Sequence, residues 1–262
     1  MDRVEVQAML EQEDRHWWYR GRRKIVCEEL AQLPTGPTMR VLDAGCGSGR
    51  LLDELRDYGH VTGLDLNPDS VEIARSRGHE DVVQGPVEQL PWDDETFDLV
   101  ISLDMVEHTP DDRVSLRELH RVTKQGGYFL MTVPALRALW SSHDVFNNHF
   151  RRYDRKMMRR LAAETGWSIE RMTYFNSLLL PPAAAVRLLQ RVRHRDAIDG
   201  YGSDGDVTNE SQHGRHGSDV ELTPPWMSPV LELPMKLEAK WLDGGRRTLP
   251  AGLSLLAVMR RV

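Results

Sequence analysis

Cysteine is almost absent from this chain of 262 residues, which has only Cys27 and Cys46. Two thiols make no disulfide framework, so a reducing, cytoplasmic compartment is expected rather than an exported one. Long hydrophobic runs are missing too. No apolar stretch reaches the ~18 residues needed to cross a bilayer. The opening, Met1-Asp-Arg-Val-Glu5, lacks the basic start and apolar run of a secretion signal. Nor is there a basic excess: 34 Lys and Arg face 40 Asp and Glu, a net charge of −6, which argues against a general nucleic-acid binder. No internal repeat is found. What is present, 40% hydrophobic residues, suffices for one sizeable core.

The densest local signal is Val41-Leu-Asp-Ala-Gly-Cys-Gly-Ser-Gly49. It reads as a buried strand running into a glycine-rich turn, with a helix over 50–58 behind it. Asp43 closes the strand, and Gly45, Gly47 and Gly49 let the backbone approach a ligand with no Cβ in the way. About twenty residues on, a second apolar strand ends in Asp65, where a carboxylate can accept the hydroxyl hydrogens of a ribose. Strand, glycine turn, helix and ribose acid together predict a nucleoside site in an α/β protein. The spacing chooses among nucleosides. A dinucleotide fold needs G-x-G-x-x-G to seat a pyrophosphate on a helix end, whereas this turn reads G-x-G-x-G. An NAD-dependent dehydrogenase is therefore disfavoured.

This pattern resembles motif I of class I S-adenosylmethionine (SAM) dependent methyltransferases. The likeness continues through Gly63-Leu-Asp-Leu-Asn-Pro68, Leu90-Pro-Trp92, Phe97-Asp-Leu-Val100, Glu107-His108 and Gly126-Gly-Tyr-Phe-Leu-Met-Thr-Val-Pro134. It implies SAM as cofactor and S-adenosylhomocysteine as product. Asp43, Gly45, Cys46, Gly47 and Gly49 would line the methionine part and Asp65 would hold the ribose. Leu66 would flank the adenine, with Val87 and Leu103 nearby. One position departs from the pattern. Where many relatives carry an acid for the adenine amino group, this chain has Pro86, within Gly85-Pro-Val-Glu-Gln-Leu-Pro91. One lost hydrogen bond, about 1 kcal/mol, weakens the cofactor site without abolishing it. The same gap keeps open a SAM-binding interaction protein without turnover.

Strands expected at 39–43, 60–65, 81–84, 97–103, 127–133 and 167–175 alternate with helices at 70–77, 112–122 and 154–165. A last strand is expected at 252–262. The expected fold is α/β, a Rossmann-like seven-stranded sheet with its last hairpin reversed. Residues 1–36 should form an N-terminal helical lid and 37–262 the SAM-binding domain. An insertion at 177–250 separates the last two strands, with 196–220, rich in Gly, Ser, Asp and His, expected to be disordered.

Methyl transfer needs alignment and, for a hydroxyl acceptor, a base. His108, after the fourth strand, is one candidate base, beside Asp104 and Glu107; helix capping and loop bracing are the competing role for this Glu-His pair. Tyr19, within His16-Trp-Trp-Tyr-Arg-Gly-Arg-Arg23, offers an aromatic face for the sulfonium. The segment His143-Asp-Val-Phe-Asn-Asn-His-Phe-Arg-Arg-Tyr153 resembles the HD…H…RRY stretch of bacterial methyltransferases that share the Trp-Trp opening. In it His143 and Tyr153 are further catalytic candidates, and His149, Arg151 and Arg152 candidates for binding the substrate. No metal is expected, because the spacing of His143, Asp144 and His149 matches no metal motif. The stretch 177–195 is apolar, then basic. It suits a cover over an acceptor pocket or peripheral contact with the inner face of a membrane. A small-molecule or lipid- or glycan-linked acceptor, methylated on oxygen, is the expected substrate.

Overall fold

The structure is a computed structural model that describes residues 13, 16–34, 36–193, 227–242 and 246–262. The expected disorder at 196–220, and the first part of the N-terminal lid, lie outside the described residues. The first complete helix is α1 (Trp17–Leu30), whose N-cap His16 accepts a hydrogen bond from the Trp18 amide. Gly21, Ile25, Val26, Glu29 and Leu30 are its buried positions, a spacing that puts them on one helical face.

Seven strands follow: β1 (Met39–Ala44), β2 (Gly59–Asp65), β3 (Val82–Gln84), β4 (Phe97–Leu103), β5 (Thr123–Pro134), β6 (Trp167–Phe175) and β7 (Ser254–Arg261). They form one sheet in the order β3-β2-β1-β4-β5-β7-β6. The first five strands pair with one another in parallel, and β7 runs antiparallel to both β5 and β6. Strand order reverses at β1, which pairs with β2 on one side and β4 on the other. A ligand crevice opens at such a switch point, outside the carboxyl ends of the strands.

Side chains alternate across the sheet as a strand period of two requires. On β4, Val100 joins one core while Leu99 and Ile101 join the other; on β7, Leu255, Ala257 and Met259 oppose Leu256 and Val258. One face is covered by α4 (Asp112–Val122) and α6 (Arg155–Thr165), through Leu116, Leu119, Met158 and Leu161. The other is covered by α1, the short α2 (Leu52–Leu55), α3 (Pro68–Ser76) and α8 (Ser228–Leu242). A pair between Glu29 and Arg171, with Nε–Oε2 2.7 Å and Nη2–Oε1 2.9 Å, ties α1 to β6.

Strands β4 and β6 and helix α4 occupy the residues the sequence predicts. The helix expected over 50–58 is shorter: α2 gives way to a 3₁₀ turn over Arg56–Tyr58. Gly59 then enters β2 at φ +144°, and a Cβ there would fall 2.1 Å from the Met39 carbonyl oxygen. The chain must tighten before β2, and the helix stops early. The insertion between β6 and β7 contains α7 (Leu180–Arg193) and α8, the latter packed on α1. At their crossing Gly21 faces Met235, and a Cβ on Gly21 would lie 2.4 Å from the Met235 sulfur. A short α5 (Ser142–Phe146), capped by Ser141 and Asp144, follows β5.

Candidate active site

The glycine turn is built by β1 and tied to β2. The amides of Gly45 and Cys46 both donate to the Leu64 carbonyl, at 2.7 and 3.0 Å. Gly45 has φ +86°, and a Cβ there would meet Met105 at 2.6 Å, so neither the turn nor the packing admits a side chain. Asp65 accepts from the Gly47 amide through Oδ2 (2.8 Å) and from the Asn67 amide through Oδ1 (2.9 Å). Each oxygen keeps a second lone pair, which is what two ribose hydroxyls need. Burial raises the Asp65 carboxyl, and the two amides oppose the rise. Beyond it Leu66 is 67% exposed, a free apolar face where the adenine is expected, while Val87 and Leu103 are buried. Cys46 is buried beneath the turn, and burial pushes its thiol well up, so it serves packing rather than nucleophilic chemistry.

Several charged groups around the turn were not singled out from sequence. Glu13 accepts a very short hydrogen bond from the Ser48 hydroxyl, which also accepts from Arg77 Nη1 at 2.8 Å. Arg23 Nη1 donates to the Glu13 carbonyl at 2.8 Å. Arg22 Nη1 reaches Asp104 Oδ2 at 2.5 Å, and its guanidinium lies 5.5 Å from the centre of the Tyr19 ring. The start of α1 is thus fastened to both the glycine turn and the end of β4. Burial raises Asp43 to about 7, with Arg22 opposing and Asp65 and Glu13 adding to the rise. Trp18 stacks on Phe175 at 6.0 Å and 16°, a packing contact. The aromatic cluster of the opening motif hid Arg22. Its signal was a cation three residues after Tyr19, on the same side of the helix.

The candidate acceptor side is made by the loops after β4 and β5, joined where the Phe150 amide donates to the Glu107 carbonyl at 2.8 Å. This brings His108 and His149 edge to face, with ring centroids 4.8 Å apart, and places His143 6.2 Å from His149. Burial, then the His149 ring, pushes His108 down to about 4 against the pull of Asp104. At neutral pH it is an uncharged imidazole. Glu107 is buried below, and burial with Asp104 holds its carboxyl well above the usual range.

The rest of the HD…H…RRY stretch is committed to holding these loops. Asp144 is buried and accepts from His149 Nδ1 (3.0 Å), Arg152 Nε (2.7 Å) and the Ser141 amide (2.9 Å). Burial would raise its carboxyl, but these partners outweigh burial and hold it far below the usual range. Arg152 is buried and also donates to the Ala135 carbonyl at 3.0 Å. Arg151 donates to the Pro110 carbonyl in a short bond and lies 3.4 Å from Asp112. Tyr153 is fully buried, and its hydroxyl donates to Asp112 at 3.1 Å. Arg151 and Arg152 thus bond to loop carbonyls and face Asp112 and Asp144, and Tyr153 is a core residue whose phenol burial pushes well above its ordinary range. His108, His143 and His149 are the members of the predicted set that the fold brings together.

Residues 42–131 match the model of the methyltransferase domain family. A probable S-adenosylmethionine-dependent methyltransferase of Mycolicibacterium smegmatis is 30% identical over 60% of this chain and 62% of that relative. A malonyl-[acyl-carrier protein] O-methyltransferase of Erwinia billingiae is 37% identical over 48% of this chain and 53% of its own. The chain therefore spans less than two thirds of these curated relatives. Among solved structures, a chain from the complex of the Haloferax volcanii Trm112 methyltransferase activator superposes with a TM-score of 0.60 at 21% identity, over 98% of this chain and 94% of that one. The cofactor of that domain fits the residues present: a turn whose three glycines have positive φ and whose Gly45 has no room for a Cβ, an acid at Asp65 with spare lone pairs and an open apolar face at Leu66. Residues 42–131 match the methyltransferase domain family, and the chain has the class I SAM-dependent methyltransferase fold.

Proposed function

We propose that this chain transfers the methyl group of SAM to an oxygen of a small or lipid- or glycan-linked acceptor. The supporting observation is that the candidate ribose carboxylate Asp65, the glycine turn and the His108–His149 pair all lie at or beyond the carboxyl ends of the parallel strands β1, β2, β4 and β5. SAM supplies a methyl already activated on a sulfonium. The acceptor oxygen forms its bond to that carbon in line as the sulfur takes back its electron pair, so the residues need only bind, align and remove a proton. Asp65 and the turn hold the nucleoside end. His108, uncharged at neutral pH, is the base candidate for the acceptor proton, with His143 beside it.

Oxygen is favoured by this histidine group, since a hydroxyl gains from a base, and by the name of the acyl-carrier-protein relative. An apolar acceptor is favoured by α7 and α8. Arg187 donates to the Leu139 carbonyl, which draws α7 to the segment leading into His143. Val186 on α7 and Val230, Leu233, Leu237 and Trp241 on α8 are exposed. No helix among the described residues is long and apolar enough to cross a membrane, so contact with a bilayer would be peripheral. Pro86, in place of an adenine-binding acid, favours a second reading, a SAM-binding protein without turnover.

Methyl-labelled SAM incubated with the protein and a bacterial extract separates these readings. Label partitioning into the organic phase supports a lipid-linked acceptor, and label confined to the aqueous phase a soluble one. Absence of transfer from protein that binds SAM overturns the enzymatic reading.

A further inference from the structure

The loops after β4 and β5 bring together three side chains of metal-binding type. Glu107, His108 and His149 each present one donor atom, and all three atoms lie within 4.8 Å of one another. Glu107 is 1% exposed, and neither of its carboxylate oxygens has a hydrogen-bond partner. A buried carboxylate is ordinarily bonded, so one that is not wants a ligand. The orientation of His149 is a second, independent sign. Its Nδ1 pairs with Asp144, which is itself fixed by Arg152 and the Ser141 amide, leaving Nε2 directed away from that carboxylate. Carboxylate–histidine pairs of this kind orient and strengthen histidine ligands in metal sites.

We propose that Glu107, His108 and His149 bind a divalent first-row transition ion. Two imidazoles and one carboxylate favour an ion of the zinc, cobalt, manganese or iron class over magnesium or calcium, which take oxygen ligands. Bonds of about 2.0–2.2 Å require the donors to close up. His108 is the exposed member of the group and is the one that would have to turn inward, while Glu107 and the Asp144-braced His149 form the more buried part. Three protein ligands leave open coordination positions. The site's role rests on the methyl-transfer reading: an acceptor hydroxyl in an open position is acidified and loses its proton to solvent, with His108 acting as ligand rather than base. Sequence spacing concealed the group, because Glu107-His108 and His149 come from different loops.

The test uses the full chain stripped with a chelator and titrated with Co²⁺, followed by visible absorption and calorimetry, with S-adenosylhomocysteine affinity measured on the same samples. Wild type should bind one Co²⁺, as should His60→Ala, altered at an exposed histidine on β2. Glu107→Gln and His149→Ala should weaken Co²⁺ by at least about tenfold while keeping S-adenosylhomocysteine. Should Glu107→Gln fail to fold, His108→Ala and His149→Ala carry the test. Lack of stoichiometric Co²⁺ binding, or binding indifferent to His149→Ala, overturns the proposal and leaves the methyltransferase reading standing. Stoichiometric Co²⁺ without methyl transfer to any acceptor supports the metal site and overturns that reading instead.

Discussion

Arg22 Nη1 stands 2.5 Å from Asp104 Oδ2, so α1 is held by an ion pair to the residue that directly follows β4. Asp104 also accepts from Thr132 Oγ1 at 3.2 Å and sits at φ +51°, a backbone conformation uncommon for a non-glycine residue. The pair is mostly enclosed. Losing either partner leaves the other charge buried and unmatched, which costs about 3–5 kcal/mol. Arg22→Ala and Asp104→Ala should each lower the urea midpoint markedly, and the double variant should lose much less than the sum. Strictly additive losses in that cycle would show that the two side chains do not act as a pair.

Asp65→Ala removes the carboxylate proposed to hold the ribose and frees the Gly47 and Asn67 amides at the same time. Two ribose hydrogen bonds at about 1 kcal/mol each, plus a loosened turn, should weaken S-adenosylhomocysteine by roughly 30-fold or more. Isothermal titration calorimetry reads this directly. An unchanged Kd would move the nucleoside away from Asp65.

The cofactor half of the site was legible because its signals are local. Gly45, Gly47, Gly49 and Asp65 are fixed by a single strand-turn-helix and the strand after it, and short-range spacing reports such units faithfully. The acceptor half was only partly legible. His143, His149, Arg151, Arg152 and Tyr153 looked like one functional set, yet burial divides them: Arg152 and Tyr153 point into the protein, where Asp144 and Asp112 satisfy them. Which side of a loop faces inward depends on contacts with other loops. Arg22 escaped notice for the same reason, since its partner lies at the far end of β4.

Gly21 lies at the crossing of α1 and α8. Alanine is better than glycine in a helix by about 1 kcal/mol, so propensity alone predicts that Gly21→Ala stabilises. Packing predicts the opposite. A Cβ at Gly21 would meet Met235 Sδ at 2.4 Å and Met235 Cβ at 2.8 Å, and the second of these is no flexible chain end. Overpacking of this kind costs about 1–3 kcal/mol, enough to cancel the propensity gain and leave a net loss. Thermal unfolding of Gly21→Ala should show a lower Tm, and Met235→Ala in that background should cost less than it does in wild type. A raised Tm would mean that the two helices do not approach as described.

Asp43 gives a pH dependence with a definite sign. Its folded carboxyl is raised to about 7, chiefly by burial, whereas an unfolded aspartate titrates near 4. Between those values the native state holds a proton that the unfolded chain has released. Stability of the cofactor-free protein therefore falls as pH rises through this window, by up to about 1.4 kcal/mol per pH unit. Below about 4 both states are protonated and above about 7 both are ionised, so this group adds no slope outside the window. Asp43→Asn cannot ionise and lacks the effect. The stability of Asp43→Asn relative to wild type should rise from pH 5 to pH 7 and then level off, as read from urea midpoints in one mixed buffer. A difference that stays constant over that range would place the Asp43 titration below pH 5, and Arg22 would then be a much stronger partner to Asp43 than burial is an opponent.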